Sequence, residues 1–192
     1  MMRAARMHAV GQPMSIDTIP VPKPGSTDVL VQVKACGMVP NLGNVLANWT
    51  KWFPHLPLPK LPAIFGLDPA GVVVEVGDQV VDVSPGQRVY VNPLRSCGAC
   101  QMCRSGERNR CRYFVFNGYF GFGPDAQKIY DIYPYGGFCE YMTAPQYALV
   151  KLPDNVTFEQ AARFGYTGTS YGAMKKAQAV PGQSMLVDGI SG

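Results

Sequence analysis

Residues 72–103 read VVVEVGDQVVDVSPGQRVYVNPLRSCGACQMC, and they carry two kinds of information side by side. Residues 72–76 are largely β-branched and end at Gly77-Asp78; the apolar pattern resumes at Val80, breaks at the turn Pro85-Gly86 and returns over Arg88–Val91. Such runs, closed by Gly and Pro, read as short strands. Working outward, residues 14–19 alternate, with Met14, Ile16 and Thr18 on one side. Val29, Val31, Val33 and Ala35 alternate against Leu30, Gln32, Lys34 and Cys36, and residues 138–143 and 148–152 supply two more strands. Short strands at turn-punctuated intervals predict a mainly β fold, a barrel or sandwich of mostly antiparallel type. Composition agrees: 21 Gly and 17 Pro make about a fifth of the 192 residues, well above ordinary usage, and exclude an all-helical bundle.

The second kind of information is chemical. Cys97, Cys100, Cys103 and Cys111 have the spacing C-x2-C-x2-C-x7-C. Zn²⁺ favours thiolates in a closed tetrahedron, and two-residue gaps let successive sulfurs converge on one ion. Gly98 and Gly106 allow the loop to turn tightly, and Arg95, Arg104, Arg108, Arg110 and Arg112 are placed to offset the thiolate charge. Two disulfides, four unconnected thiols or an iron–sulfur cluster are the other readings of the same spacing. With four protein ligands, a zinc here has no position left for substrate and serves structure.

Charge bounds the partners. A net charge of +4 with no Lys/Arg run predicts no nucleic-acid partner. The longest uncharged stretch, residues 35–50, is interrupted by Pro40, Gly43, Asn41, Asn44 and Asn48, so no membrane span is expected. Arg3 and Arg6 are followed by no apolar run, and six Cys without a secretion signal point to a reducing compartment and a cytoplasmic location.

Beyond residue 152 the pattern changes. Thr157 with Gln160 forms a capping-box signature ahead of Phe158 and Ala161-Ala162. Residues 167–177 read as a second helix. Pro181-Gly182 then leads into a short strand over 184–187, and the chain closes on Gly189-Ile190-Ser191-Gly192.

In order and spacing these residues resemble the zinc-type alcohol dehydrogenases of the medium-chain dehydrogenase/reductase family. Val76-Gly77, Pro85-Gly86-Gln87-Arg88-Val89 and Cys97-Gly98-Ala99-Cys100 match its catalytic domain. Gly136-Gly137-Phe138-Cys139-Glu140-Tyr141 matches the strand that follows, and Pro153-Asp154 with Phe158-Glu159-Gln160-Ala161-Ala162 its linking helix. The stretch from Pro181-Gly182-Gln183 through Val187 to Gly192 matches the opening of its nucleotide-binding fold. The resemblance implies a GroES-like β-barrel over residues 1–176 with a zinc lobe at 95–112. Residues 177–192 then form the first strand and Gly-rich turn of a Rossmann domain. Gly189, Ser191 and Gly192 would approach the pyrophosphate of NAD or NADP, most of whose site lies beyond this chain. It also implies a homo-oligomer and about half of a complete enzyme.

The departures from the family pattern concern its catalytic zinc. Of the Cys, His and Cys ligands, Cys36 retains the first; the His position is Leu67 and the third is Gly165. The proton-relay Ser/Thr matches Asn41, and the Asp and His after it match Leu42 and Asn44. One ligand of three does not hold Zn²⁺, although Cys36 and Asp68 retain two donors. Cys36, Asn41, Asn44, Asp68 and Tyr166 are therefore the candidate catalytic residues. Without a Lewis acid, hydride chemistry is easiest on an activated C=C or a quinone, and next on an imine, whose charge Asp68 could balance. A zinc alcohol dehydrogenase with ligands from other positions, and a non-enzymatic zinc-stabilised binding module, are the alternatives. The aromatic stretch from Tyr113 to Phe122 either shapes a mouth for an apolar small-molecule substrate or packs beneath the loop, and Trp49, Trp52 and Phe53 admit the same two readings.

Overall fold

A computed structural model describes residues 1–189. Five strands form its main sheet, in the order β10 (Leu149–Lys151), β6 (Arg88–Val91), β5 (Asp68–Val76), β3 (Asp28–Gly37) and β9 (Tyr141–Pro145), every neighbouring pair antiparallel. A second sheet sets β1 (Met2–Met7) between β2 (Ser15–Ile19) and β4 (Ala63–Ile64). The two are stitched together by the segment before β9: Phe138 N–H donates to Phe65 O, Gly137 N–H to Gly66 O and Ala5 N–H to Phe138 O, each at 2.8 Å. The mainly β, antiparallel architecture expected from the sequence is the one observed.

The core of the main sheet is Val29, Val31, Val73, Val89, Val91, Met142 and Ala144, all essentially excluded from solvent. β-branched side chains suit this pleated, densely packed surface. The alternation predicted for β3 is weaker than expected, because Leu30 is buried along with Val29 and Val31. The strand is central, pairs on both sides and shifts register between Leu30 and Val31 and again between Val33 and Ala35. In β2 the side that carries Ile16 and Thr18 faces outward, and Ile16 is 69% exposed. Asp17, opposite Ala4, turns inward to meet Arg6 and His8, so an ion-pair cluster rather than the apolar alternation orients this edge strand.

The helices are short: α1 (Leu42–Trp52), α2 (Gln101–Arg104), α3 (Gln127–Ile132), α4 (Phe158–Ala161) and α5 (Phe164–Lys176). α4 begins on the expected capping box, with Thr157 Oγ1 accepting from Gln160 N–H and the Gln160 side chain accepting from Thr157 N–H. α5 starts at Phe164, three residues earlier than its sequence pattern suggested. The strand expected at 184–187 is not formed, and Leu186 is 94% exposed; among the described residues no strand lies beside it to complete its hydrogen bonds. Gly189 has a positive φ of +71°, whereas Ser191 and Gly192 lie outside the described residues. No helix among them is long and apolar enough to cross a membrane.

Candidate active site and metal centre

The cysteine lobe grows from a two-stranded ribbon, β7 (Leu94–Arg95) and β8 (Val115–Phe116), which pairs Leu94 with Phe116 and Arg95 with Val115. The loop between them reverses at Gly98 and Gly106, both at positive φ, a region that glycine enters without steric cost. It brings the Sγ atoms of Cys97, Cys100, Cys103 and Cys111 within 4.8 Å of one another. Cys97 lies 3.6 Å from Cys111 and 4.0 Å from Cys103. A tetrahedron with Zn–S bonds of about 2.3 Å has sulfur–sulfur edges of about 3.8 Å, so the four thiols fit zinc. Backbone N–H groups of Cys97 and Tyr113 point at Cys111 Sγ, and that of Cys100 at Cys97 Sγ, at 3.4–3.5 Å. Amide donors so placed favour thiolates.

The arginines around this lobe are engaged differently than expected. Arg110 pairs with Glu107 at 2.7 Å, Arg112 with Asp125 at 2.5 Å, and Arg108 lies over the Tyr147 ring at 5.1 Å. With Arg95, four of the five cations expected to offset the thiolates thus have other partners. Arg95 is wholly buried, donating to the carbonyls of Asn92 and Leu94 and facing Tyr133. Burial holds its pKa down to about 10.

A separate cleft of about 950 Å³ opens beside β6, between the start of α1, the aromatic segment after β8 and the start of α5. Phe116, Tyr119, Phe120 and Phe164 give it aromatic walls, and Asp68, Tyr90, Asn41 and Tyr166 its polar atoms. Asp68 is 1% exposed. Its Oδ1 accepts from the Tyr90 hydroxyl at 2.7 Å, and the backbone of Gly165 in the first turn of α5 lies against its carboxylate, where the helix dipole favours an anion. Burial still outweighs these contacts and raises the Asp68 pKa above the ordinary carboxylate value. Tyr90 is pushed up as well, by burial first and then by the facing carboxylate.

The cleft brings together Asn41, Asp68 and Tyr166 of the expected residues and leaves two outside. Asn41 precedes α1, and its Oδ1 accepts from the buried Tyr119 hydroxyl at 2.5 Å. Oriented this way, its amide N–H groups remain free to donate. Tyr166, 44% exposed, sits at the rim. Asn44 points to solvent on α1 and is not part of the cleft wall. Cys36 lies behind it, half-buried, its Sγ donating to Gly37 O at 3.7 Å, and burial pushes the thiol up. Cys139 is a similar inert thiol, donating to Gly136 O and Tyr141 O and pushed up to about 12 by burial. Among the described residues, the four cysteines of the lobe are the one group of three or more His, Cys, Asp or Glu that could hold a metal.

Two contributors escaped the sequence reading. Tyr90 is opposite Ala70 in the β5–β6 register, and Asp68 lies two residues along β5 on the same face, within the diagonal reach of a long side chain. That neighbour relation was implicit in two adjacent strand patterns. Tyr119 stood in the aromatic stretch, whose members divide: Phe114 packs under the cysteine lobe, while Phe116 and Phe120 line the cleft. Trp49 is an anchor, donating from Nε1 to Leu56 O at 2.8 Å and stacking on Phe120, whereas Trp52 and Phe53 are exposed.

Comparison with known proteins agrees with this geometry. Residues 25–154 match the alcohol dehydrogenase GroES-like domain. An alcohol dehydrogenase of Geobacillus stearothermophilus is 35% identical over 194 aligned residues, covering 100% of this chain and 52% of its own length. An NAD-dependent alcohol dehydrogenase of Sulfurisphaera tokodaii is 31% identical with the same coverage. Among solved structures, an NAD-dependent alcohol dehydrogenase superposes with a TM-score of 0.76 at 32% identity, over 94% of this chain and 49% of that one. The cobalt- and zinc-bound thermostable alcohol dehydrogenase of Pyrobaculum aerophilum gives 0.72 at 29% identity, over 95% and 50%. The chain thus spans about half the length of the curated relatives it matches. With a GroES-like fold, a four-cysteine lobe and this similarity along its whole length, the chain belongs to the zinc-type alcohol dehydrogenases of the medium-chain dehydrogenase/reductase family.

Proposed function

We propose that this chain is the substrate-side portion of an NAD(P)-dependent oxidoreductase that transfers hydride without a catalytic zinc. The observation that carries the reading is the pairing of Leu67 and Gly165 at two expected ligand positions with Asp68 in the space between. A Cβ built on Gly165 would lie 2.4 Å from Asp68 Oδ1, so the room that a third ligand side chain needs is taken by a carboxylate. Cys36 and Asp68 alone supply too few donors for a tetrahedral ion.

A single zinc, held by Cys97, Cys100, Cys103 and Cys111, would brace the lobe with no open coordination position. A reduced nicotinamide, when bound, supplies hydride to the substrate. The residues of this chain do the rest. Phe116, Phe120 and Phe164 exclude water and hold an apolar or conjugated small molecule. Asn41, fixed by Tyr119, and the Tyr166 hydroxyl donate to polar substrate atoms. Asp68, held by Tyr90 and Gly165, sets the electrostatic character of the floor. With no Lewis acid, the substrates suited to this cleft are those already electrophilic: a conjugated C=C, a quinone or an imine.

Metal counting tests the reading. The natural full-length protein is expected to hold one zinc per subunit and to retain turnover on such substrates under chelation mild enough to leave the lobe intact. Two zinc ions per subunit, with turnover abolished by chelation, would overturn it.

A further inference from the structure

Resting on that reading, we propose that the cleft recognises a cationic nitrogen substrate, an iminium ion or the amine it becomes, through Asp68. Three observations converge. The carboxylate is buried at the cleft floor with two neutral neighbours, Tyr90 and Gly165, and none of the ion pairs among the described residues includes it. Among the described residues that line the cleft there is no Lys, Arg or His. The walls are aromatic, with Phe116, Tyr119, Phe120 and Phe164 turned toward the same space. A buried carboxylate without a countercharge is costly unless something cationic meets it, and aromatic faces attract a desolvated cation. An iminium satisfies both requirements. An enolate or hydroquinone oxyanion would form in the field of the carboxylate and, among the described residues, meet neutral donors such as Asn41 and Tyr166.

The chemistry closes without a further reactant. Hydride from the reduced nicotinamide adds to the iminium carbon, forming a C–H bond. The C=N π pair withdraws onto nitrogen, leaving a neutral amine, and the nicotinamide is oxidised. Asp68 favours the charged form of the imine in the cleft, the form to which hydride adds readily. In the reverse direction it stabilises the cation that develops as an amine loses hydride.

A permanently charged probe tests this without recourse to protonation. The natural full-length protein, with NADH and NADPH in turn, is assayed on N-methyl-3,4-dihydroisoquinolinium, 1,4-naphthoquinone and 2-cyclohexen-1-one. The expected result is a kcat/KM at least tenfold higher on the iminium than on either neutral substrate. The iminium-to-quinone ratio should fall at least tenfold in Asp68→Asn and survive in Tyr90→Phe, which keeps the carboxylate. Calorimetry gives a readout besides turnover: N-methylisoquinolinium should bind at least tenfold more tightly than neutral isoquinoline at pH 8. Equal binding of the two, or preference for a neutral substrate with turnover intact under chelation, overturns the cation assignment and leaves the zinc-independent reading standing. Turnover confined to simple alcohols and abolished by chelation overturns both.

Discussion

The Asp68 carboxylate and the backbone of Gly165 are mutually exclusive with any side chain at position 165: a Cβ there would lie 2.4 Å from Oδ1, 2.8 Å from Oδ2 and 2.9 Å from Cγ. The contact joins the first turn of α5 to the start of β5, so it fixes the linking helix against the barrel and shapes the cleft floor together. Gly165→Ala is expected to destabilise the protein by about 1–3 kcal/mol, the usual cost of overpacking. Adding Asp68→Ala should recover part of that loss, because it removes the atoms the new methyl strikes. A double-mutant cycle from denaturant midpoints measures the coupling; strict additivity would mean that the two residues do not share this space.

Asp68 itself should cost stability at neutral pH. Burial raises its folded pKa above the ordinary aspartate value of 3.8, so the folded state holds the proton more strongly than the unfolded chain. Its contribution to stability therefore falls as pH rises from near 3.8 to the raised folded value, and the penalty is constant above that. Each pKa unit of upward shift corresponds to about 1.4 kcal/mol. Asn mimics the protonated acid, so Asp68→Asn should unfold at higher denaturant concentration than the unsubstituted protein at pH 8. The gap should narrow as pH falls through the raised folded value toward the ordinary carboxylate range. A variant less stable at pH 8 would mean that the charged form is favoured by the fold.

The cysteine lobe makes a third prediction. The four thiols hold the loop between β7 and β8, where Cys103, Cys111 and Phe114 form a small apolar cluster of their own. So small a cluster cannot order a loop of this length alone, and metal binding supplies folding free energy. Cys103→Ser is expected to abolish zinc binding and to lower stability by more than about 3 kcal/mol, with protease cleavage appearing first within the lobe. Metal content by mass spectrometry and limited proteolysis read the two effects separately. Full zinc retention in that variant would exclude Cys103 as a ligand.

Much of this was legible in the sequence, for physical reasons that differ by element. The strand runs around Val73 and Val89 were readable because β-branched residues between Gly/Pro turns have few other conformations to take. The cysteine lobe was readable because metal coordination demands both a residue type and a spacing. α1 was not: Gly43, Asn44 and Asn48 are poor helix formers, and the helix is held by tertiary contacts, with Val45 and Trp49 buried and Trp49 stacked on Phe120. The alternation of β2 did not say which side faces inward, because Asp17 pairs with Arg6 and His8, groups that alternation cannot anticipate. In the cleft, Asp68 was found from its position beside Leu67. Its partner Tyr90 comes from another strand, and only the register between β5 and β6 brings the two together.

Tyr119 and Asn41 illustrate the same point and carry the last prediction. They are far apart in sequence, yet the Tyr119 hydroxyl donates to Asn41 Oδ1 at 2.5 Å, which fixes the amide and leaves its N–H groups free at the cleft wall. Burial pushes the Tyr119 pKa up to about 12, so the hydroxyl stays a donor throughout the working pH range and the amide keeps one orientation. In Tyr119→Phe the ring still packs on Phe120, while Asn41 becomes free to rotate. Stability should fall by about 1 kcal/mol, the net worth of one hydrogen bond. kcat/KM in the full-length protein should fall about tenfold, about 1.4 kcal/mol of transition-state stabilisation, with an unchanged pH profile because no titrating group is lost. Asn41→Ala should lose at least as much, and the double variant no more than Asn41→Ala alone, since Tyr119 acts through Asn41. An additive double variant would mean that Tyr119 meets the substrate directly.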